Sequence, residues 1–327
     1  MKQGAGTVLL VAGLVITSCG GGDSSSPPSG GSPPPPVSSP SPPPSPPPPS
    51  ISYLKFDELT GDQQFLAGCG NLFGTGGNTS SEGLGTYPGN PEATAHNYSA
   101  SLSSWEIKGF ARDDSNGPEY TYTFGPAEED ATSTDIFRIY RKTLNGFVNE
   151  FTITKRALGA MAGQYVRQTR LVAKPGTNVI DIHCVIGVPT VRDDSLPGVI
   201  SYPDQAISGT AISSSGTRYD LGTSTATFNY QLGMEQFSYT IHLIGREVTS
   251  SGISSTSIDL GNYGANGFII PPDKTFSAPL NSSSGPAGTM GGGFFGPQGV
   301  EMGYGFSGSG SASGISFQFG GTVVGRR

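Results

Sequence analysis

The strongest constraint on the fold is a two-residue alternation of apolar and polar side chains. It is clearest in 226–232 (ATFNYQL), 237–243 (FSYTIHL) and 315–319 (ISFQF). Successive side chains of a strand point to opposite faces, so each run has one apolar and one polar face. This pattern is typical of antiparallel sheets packed on one side, and it predicts an all-β chain.

The spacing of these runs predicts how the C-terminal part closes. From residue 198 onward there are roughly eight candidate strands, separated by turns rich in Gly, Ser and Asn. Eight such strands can close into an up-and-down barrel, which leaves no sheet edge exposed. We therefore predict an eight-stranded antiparallel β-barrel at 187–327, with its interior filled by aromatic side chains.

The preceding region, 51–186, alternates less regularly. Its strand-like runs are 119–124, 136–140, 147–153 and 164–172, and 155–162 is a candidate short helix weakened by Gly159. These features predict a smaller β-rich domain before the barrel.

The N-terminus has the features of an export signal. Its apolar core, 8–16 (VLLVAGLVI), is far shorter than the about 20 residues of a membrane-spanning helix. The letters ITSC at 16–19 resemble the lipobox of bacterial lipoproteins. The resemblance implies that residues 1–18 are a removed signal peptide and that Cys19 carries the acyl (palmitate-type) lipids. Gly20, in place of Asp, implies the outer membrane of a Gram-negative bacterium. The alternative is an ordinary signal peptide cleaved nearby.

A proline-rich stretch separates this anchor from the body. Residues 27–50 (PPSGGSPPPPVSSPSPPPSPPPPS) favour polyproline II, which at about 3.1 Å per residue reaches on the order of 70 Å. We predict that 19–50 is a lipidated cysteine followed by a disordered stalk.

The charge balance excludes one class of partner. Without residues 1–18 the chain carries 17 basic and 25 acidic residues, a net charge of −8, and it has no Lys/Arg run. An acidic body repels phosphate backbones, so we expect no nucleic-acid partner.

Two cysteines, Cys69 and Cys184, remain in the body. In an oxidising envelope they are either a disulfide or two unpaired buried thiols. His183 and His96 are the nearest candidates for a metal site with them. No C-x-x-C or H-x-x-x-H spacing supports such a site, so we predict no metal.

A glycine-rich run, 291–306 (GGGFFGPQGVEMGYGF), begins with G-x-G-x-x-G. A dinucleotide loop needs a helix after these glycines, but here Pro297 and a two-residue alternation follow. Val300, Met302, Tyr304 and Phe306 share one face, and glycines dominate the other. The run therefore predicts a hairpin, with strands at 289–295 and 299–306 around a turn at 296–298, and no cofactor. Its glycines allow bending or the close approach of another segment.

Glu301 is the one acid on the glycine face of this hairpin. Its structural interpretation is a carboxylate that accepts N–H groups of the preceding turn or pairs with an Arg. The alternative is a contact with a ligand.

The run G-x-F-F-G-P-x-x-x-E-M-G at 292–303, followed by Phe306, resembles the penultimate hairpin of the β-barrel domain in transferrin-binding protein B and related solute-binding lipoproteins. The residues that carry the motif are Gly292, Phe294, Phe295, Gly296, Pro297, Glu301, Gly303 and Phe306. The segments 187–202 (GVPTVRDDSLPGVISY) and 321–327 (GTVVGRR) are similar to the first and last strands of such barrels.

The resemblance implies a handle-like domain at 51–186 and a lipid-anchored outer-membrane protein, on the cell surface or on the periplasmic face. It implies binding of a protein or solute without catalysis or cofactor, with an outer-membrane receptor as a candidate partner. Iron capture is not carried over, because the family's partner-contacting loops lie largely outside the matched run.

Two other functions remain open at this point, namely a structural or adhesive lipoprotein without a ligand and a glycan hydrolase. No G-x-S-x-G elbow, H-E-x-x-H or P-loop occurs in the chain. The acidic clusters at 128–130 (EED) and 193–194 (DD) are paired carboxylates of the kind that glycosidases use, but their neighbours indicate solvated turns. We predict that the protein is not an enzyme.

Overall fold

A computed structural model describes residues 51–65, 67–73, 78–82, 94–110, 119–155, 163–175, 179–231, 236–270 and 274–327. The predicted signal peptide, Cys19 and the stalk lie outside these residues, as does all but the first residue of the candidate helix. Ser50–Arg327 is one compact unit, and the boundary between 186 and 187 stays a prediction.

The body is built almost entirely from antiparallel strands, which confirms the predicted fold class. A four-stranded sheet has the order β1-β4-β5-β6, and a six-stranded sheet has the order β3-β2-β10-β9-β8-β7. Their bounds are β1 Gln63–Phe65, β2 Gly68–Phe73, β3 Asn78–Glu82, β4 Ala95–Ser99, β5 Ser104–Phe110, β6 Glu119–Phe124, β7 Phe137–Leu144, β8 Phe147–Thr154, β9 Val166–Ala173 and β10 Ile180–Gly187. Among the described residues, no helix has the length and apolarity needed to cross a membrane.

The C-terminal part is one sheet whose ends meet. Its strands are β11 Val199–Ser201, β12 Asp204–Ser213, β13 Arg218–Asp220, β14 Thr225–Gln231, β15 Gln236–Thr249, β16 Gly252–Ile270, β17 Thr275–Ser282, β18 Gly285–Phe295, β19 Glu301–Ala312 and β20 Ile315–Arg326. Pairing runs from β12 through β20, β19, β18, β17 and β16 to β15, and returns to β12 through β13. Strands β11 and β12 together form one interrupted strand, and β13 and β14 together form another. The ten strands therefore fill eight positions in the ring. We call this ring the closed sheet.

Aromatic side chains fill the interior of the closed sheet, as the alternation predicts. Phe228 stacks on Phe237 with ring centroids 4.9 Å apart, and Phe276 lies 5.0 Å from both rings. Tyr304 and Phe294 complete this layer. Each of these side chains is buried, and in β14 and β15 such inward positions alternate with exposed ones.

The strands extend beyond the apolar runs that predict them. The run 237–243 lies within a 14-residue strand, β15, whose partner β16 has 19 residues. The predicted hairpin at 289–306 is present, but its strands reach 285 and 312 and its turn is a 3₁₀ helix at Pro297–Gly299. Strand pairing needs only backbone groups, so it continues where the side chains are Ser, Thr and Gly.

The outer face of β19 and β20 is covered by the six-stranded sheet, and glycines make the contact. A Cβ atom on Gly305 would overlap the backbone of Cys69, and one on Gly70 would overlap the carbonyl group of Phe306. Stacked sheets ordinarily lie about 10 Å apart because side chains separate them. Here the backbones touch, so the predicted close approach of another segment is present.

A second core lies between the four-stranded and six-stranded sheets. Trp105, the one tryptophan of the chain, packs there beside Phe65 and Phe151. The two cores meet through the glycine contact, which positions the hairpin motif against the six-stranded sheet.

Candidate binding site

The turn of the motif hairpin is shaped to receive a neighbouring side chain. Gly296 has a φ of 70°, and its missing side chain leaves room for the ring of Tyr165. Phe294 points into the closed sheet, whereas Phe295 points outward and packs with Val166 and Val185. Phe294 therefore packs inside the closed sheet, and Phe295 packs in a small apolar cluster between that sheet and the six-stranded sheet.

Glu301 follows this turn and is only 1% exposed. Its Oε1 atom accepts the backbone N–H of Gln164 at 2.6 Å, and its Oε2 atom accepts those of Tyr165 at 2.8 Å and Val166 at 2.9 Å. Glu301 thus accepts backbone N–H groups, but these three donors lie outside the preceding turn. Its donors begin strand β9 of the six-stranded sheet, and the carboxylate joins that strand to the closed sheet.

The segment that joins β10 to β11 is also hydrogen-bonded to this hairpin turn. Thr190 donates its N–H to the carbonyl of Phe294 at 2.9 Å and its hydroxyl to the carbonyl of Gly296 at 2.7 Å. Gly296 in turn donates to the carbonyl of Val188 at 2.9 Å. The motif thus bonds to two other segments of this chain, 164–166 through Glu301 and 188–190 through Phe294 and Gly296.

Cys69 and Cys184 are brought together on neighbouring strands. They are directly opposite in the pairing of β2 with β10, and a disulfide joins them with an S–S distance of 2.10 Å. Both are buried, so the bond lies inside the second core. Of the two alternatives that the sequence leaves open, the structure has the disulfide.

The histidines considered with these cysteines have separate partners. His96 Nε2 lies 3.1 Å from the hydroxyl of Thr169, and burial lowers the pKa of His96 to about 3. His183 lies between Asp181 and Thr210, and burial lowers its pKa as well, although the charge of Asp181 opposes this. Among the described residues, no group of three or more metal-ligating side chains occurs.

Asp181 is the centre of an ionic cluster between the six-stranded sheet and the closed sheet. It is 2% exposed, contacts Arg170 at 2.8 Å and also contacts Arg218. Burial alone would raise the pKa of Asp181, but the charge and hydrogen bonds of Arg170 hold it well below its usual range. A buried carboxylate with such partners is a structural ion pair rather than a proton donor.

The acidic clusters named above are bound to the chain itself. Glu128, Glu129 and Asp130 contact Lys142, Arg138 and Arg141 of strand β7 at 3.8, 3.3 and 2.6 Å, respectively. Asp194 accepts the hydroxyl of Tyr53 at 2.7 Å and the N–H of Gln298 at 2.6 Å. The first set shields the edge of the six-stranded sheet, and the second fixes the motif turn.

The described part of the body includes two open clefts of similar volume. One, of about 440 Å³, lies at the end of the closed sheet where serine-rich turns meet, among them Ser282, Ser284 and Ser311. The other, of about 460 Å³, lies beside the segment that Glu301 holds, and it is lined by Phe56, Asp57, Trp105 and Arg167, among others. We call this second one the Arg167 cleft.

No family model matches the sequence, and no curated protein matches it. Several solved structures are similar in fold. One is a double mutant of transferrin-binding protein B from Haemophilus parasuis (11% identity over 77% of this chain, TM-score 0.37), and another is transferrin-binding protein B from serogroup B Neisseria meningitidis (14% over 79%, TM-score 0.35). A third is the N-lobe of lactoferrin-binding protein B from Moraxella bovis (11% over 58% of this chain and 79% of that chain, TM-score 0.27).

Transferrin-binding protein B, whose barrel hairpin the motif resembles, is among these similar structures. The chain covers only 58% of the length of the two transferrin-binding proteins. Because the identities and TM-scores are this low, the function of this chain has to be argued from its own residues.

The Arg167 cleft is absent from the sequence-based expectations. Its residues are separated by up to 111 positions, from Phe56 to Arg167, and no spacing connects them. The one local feature that points to it is the pair of arginines, Arg167 and Arg170, in the otherwise uncharged strand β9 (VRQTRLVA).

Proposed function

We propose that this protein is a lipid-anchored outer-membrane lipoprotein that binds a protein or a solute and carries out no chemistry. The observation that carries the proposal is the order of its segments, since a lipobox ending at Cys19 precedes a proline stalk and then a compact body. Such a stalk holds a body away from the membrane, where it can meet a ligand.

The absence of chemistry is supported by how the acidic residues are used. Glu301 and Asp181 are each buried and saturated by bonds to the chain. The interior of the closed sheet is occupied by aromatic side chains, so a ligand has to bind an outer surface or a cleft.

The anchor is tested by metabolic labelling with an acyl-chain analogue in the native host. We expect Cys19→Ala to abolish labelling and to release the protein from the membrane fraction, whereas Ser18→Ala, which keeps a small residue in the lipobox, retains both. Labelling of the Cys19→Ala protein would refute the anchor.

The location and the binding role need separate measurements. Protease added to intact cells is expected to release the body, and protection of the body would place it on the periplasmic face. The purified full-length protein is then used to capture partners from host fluids and growth medium. A saturable partner supports binding, and repeated absence of one favours the structural alternative.

A further inference from the structure

The Arg167 cleft has the size and lining of a site for a small molecule. Its volume of about 460 Å³ lies within the range of about 300–1,000 Å³ that is usual for ligand pockets. Phe56 and Trp105 form its apolar part, and Arg138, Lys155 and Arg167 bring three positive charges to it.

Arg167 is a buried cation, because its side chain is 2% exposed. Its Nη1 atom donates to the carbonyls of Gly163 and Val166, both at 2.8 Å, and its guanidinium carbon lies 4.7 Å from the centre of the Phe56 ring. Three contacts of this kind hold the guanidinium in one orientation. A charge buried in this way requires a partner of opposite sign.

That partner is supplied by Asp57, whose carboxylate lies 2.9 Å from Arg167 Nη2 while its side chain is 73% exposed. Asp57 belongs to the first segment of the body, which directly follows the predicted stalk. A carboxylate in solvent gains little from a single ion pair, since water competes for it. Asp57 therefore occupies a position that another carboxylate can take.

The remaining charges of the cleft favour an anion. Lys155 is half-buried, and among the described residues no carboxylate lies within ion-pair distance of it. Arg138 contacts Glu129 at 3.3 Å, and Asp135 is the second acid of the lining. Counted together with Glu129, the three basic and three acidic groups are neutral while Asp57 is bound, and displacement of Asp57 leaves a net charge of +1 in a chain whose net charge is −7. A small positive cleft in an acidic body attracts anions locally.

We propose that the Arg167 cleft binds a small molecule with two or more carboxylate groups. One carboxylate replaces Asp57 on the guanidinium of Arg167, and a second pairs with Lys155. Planar, bidentate pairing with a carboxylate is the strongest interaction that a fixed guanidinium offers. The proposal rests on the binding role given above and names the class of its ligand.

Glu301 connects the motif hairpin to the Arg167 cleft through a series of contacts. Its three bonds fix 164–166, Gln164 accepts the N–H of Phe56 at 2.7 Å, and the ring of Phe56 supports Arg167. Glu301 is thus a positioning residue for the site, without contact to the ligand.

The test is calorimetric titration of the full mature lipoprotein in detergent with citrate and with succinate, using glycerol as the uncharged control. We expect saturable binding of citrate and none of glycerol. Lys155→Ala should weaken citrate binding about tenfold, which corresponds to about 1.4 kcal/mol. The matched control is Lys108→Ala, a half-buried lysine outside the cleft that pairs with Glu106, and its affinity should equal that of the wild type.

Asp57→Asn gives an independent measurement. Removing the competing carboxylate should tighten citrate binding and lower the melting temperature without ligand, and citrate should raise that temperature more than it does in the wild type. The proposal is overturned if citrate shows no saturation up to about 10 mM, or if Lys155→Ala and Lys108→Ala bind it alike. A protein partner that is captured by the wild type while citrate shows no saturation would leave the binding role in place and remove this site.

Discussion

Removing the carboxylate of Glu301 should destabilise the protein by several kcal/mol. Glu301→Ala leaves three N–H groups, those of Gln164, Tyr165 and Val166, without their acceptor. A buried donor that loses its partner costs about 1–3 kcal/mol. Water entering beside the two partly buried donors recovers part of this, so we expect a loss on the order of 3–6 kcal/mol. Total stabilities are about 5–15 kcal/mol, so the effect is large.

Glu301→Gln separates the charge from the geometry. The amide keeps one acceptor oxygen but turns its NH₂ group toward at least one N–H donor. We expect a loss of about half that of the alanine variant. Glu247→Ala, at an exposed position of the closed sheet, is the control and should change stability by less than about 0.5 kcal/mol.

The assay is urea unfolding followed by fluorescence of Trp105, the one tryptophan, which is buried in the core that β9 helps to form. A loss below about 1 kcal/mol for Glu301→Ala would refute the structural role. If ligand binding disappeared while stability stayed unchanged, Glu301 would instead be a ligand contact.

Three further changes test separate parts of the body. Lowering the pH from 7 to 5 should reduce the free energy of unfolding of the wild type by about 2 kcal/mol more than that of His96→Gln. The reason is that the imidazole of the unfolded chain gains a proton below about pH 6.5, whereas the folded one stays neutral until about pH 3. Equal losses of the two proteins in urea titrations would contradict this. Replacing both Cys69 and Cys184 by Ala should lower the free energy of unfolding by about 2–5 kcal/mol. If the wild-type body, unfolded without a reductant, contained two reactive thiols, the disulfide would be absent. Gly305→Val should separate β19 from Cys69 and lower the melting temperature sharply, whereas Ser309→Val, on the same strand at a more exposed position, should not.

Local patterns predict the closed sheet well, and the reason lies in the strand itself. Phe237, Tyr239 and Ile241 alternate within five residues, so the face that becomes buried is visible in the sequence. The turn at Gly296 and Pro297 is visible for the same reason, because its chemistry is contained in two residues.

The contacts between sheets could not be predicted in this way. The donors to Glu301 lie 135–137 positions earlier in the chain, and nothing near Glu301 specifies them. The Arg167 cleft depends on five segments whose order in space follows from the pairing of whole strands. Periodicity gives the face of a strand but not the strand that covers it.

The placement of β2 has a consequence for the order of assembly. It lies between β3 and β10, and Cys69 meets Cys184 only after 115 further residues have been made. The closed sheet likewise waits for β20 to reach β12. A chain that crosses a membrane with its N-terminus first therefore exposes unpaired strands until almost the last residue has passed. Folding with such distant closing contacts is slow and prone to aggregation. On the export route proposed above, we expect this protein to require a holding chaperone and its amount in the cell to follow the supply of that chaperone.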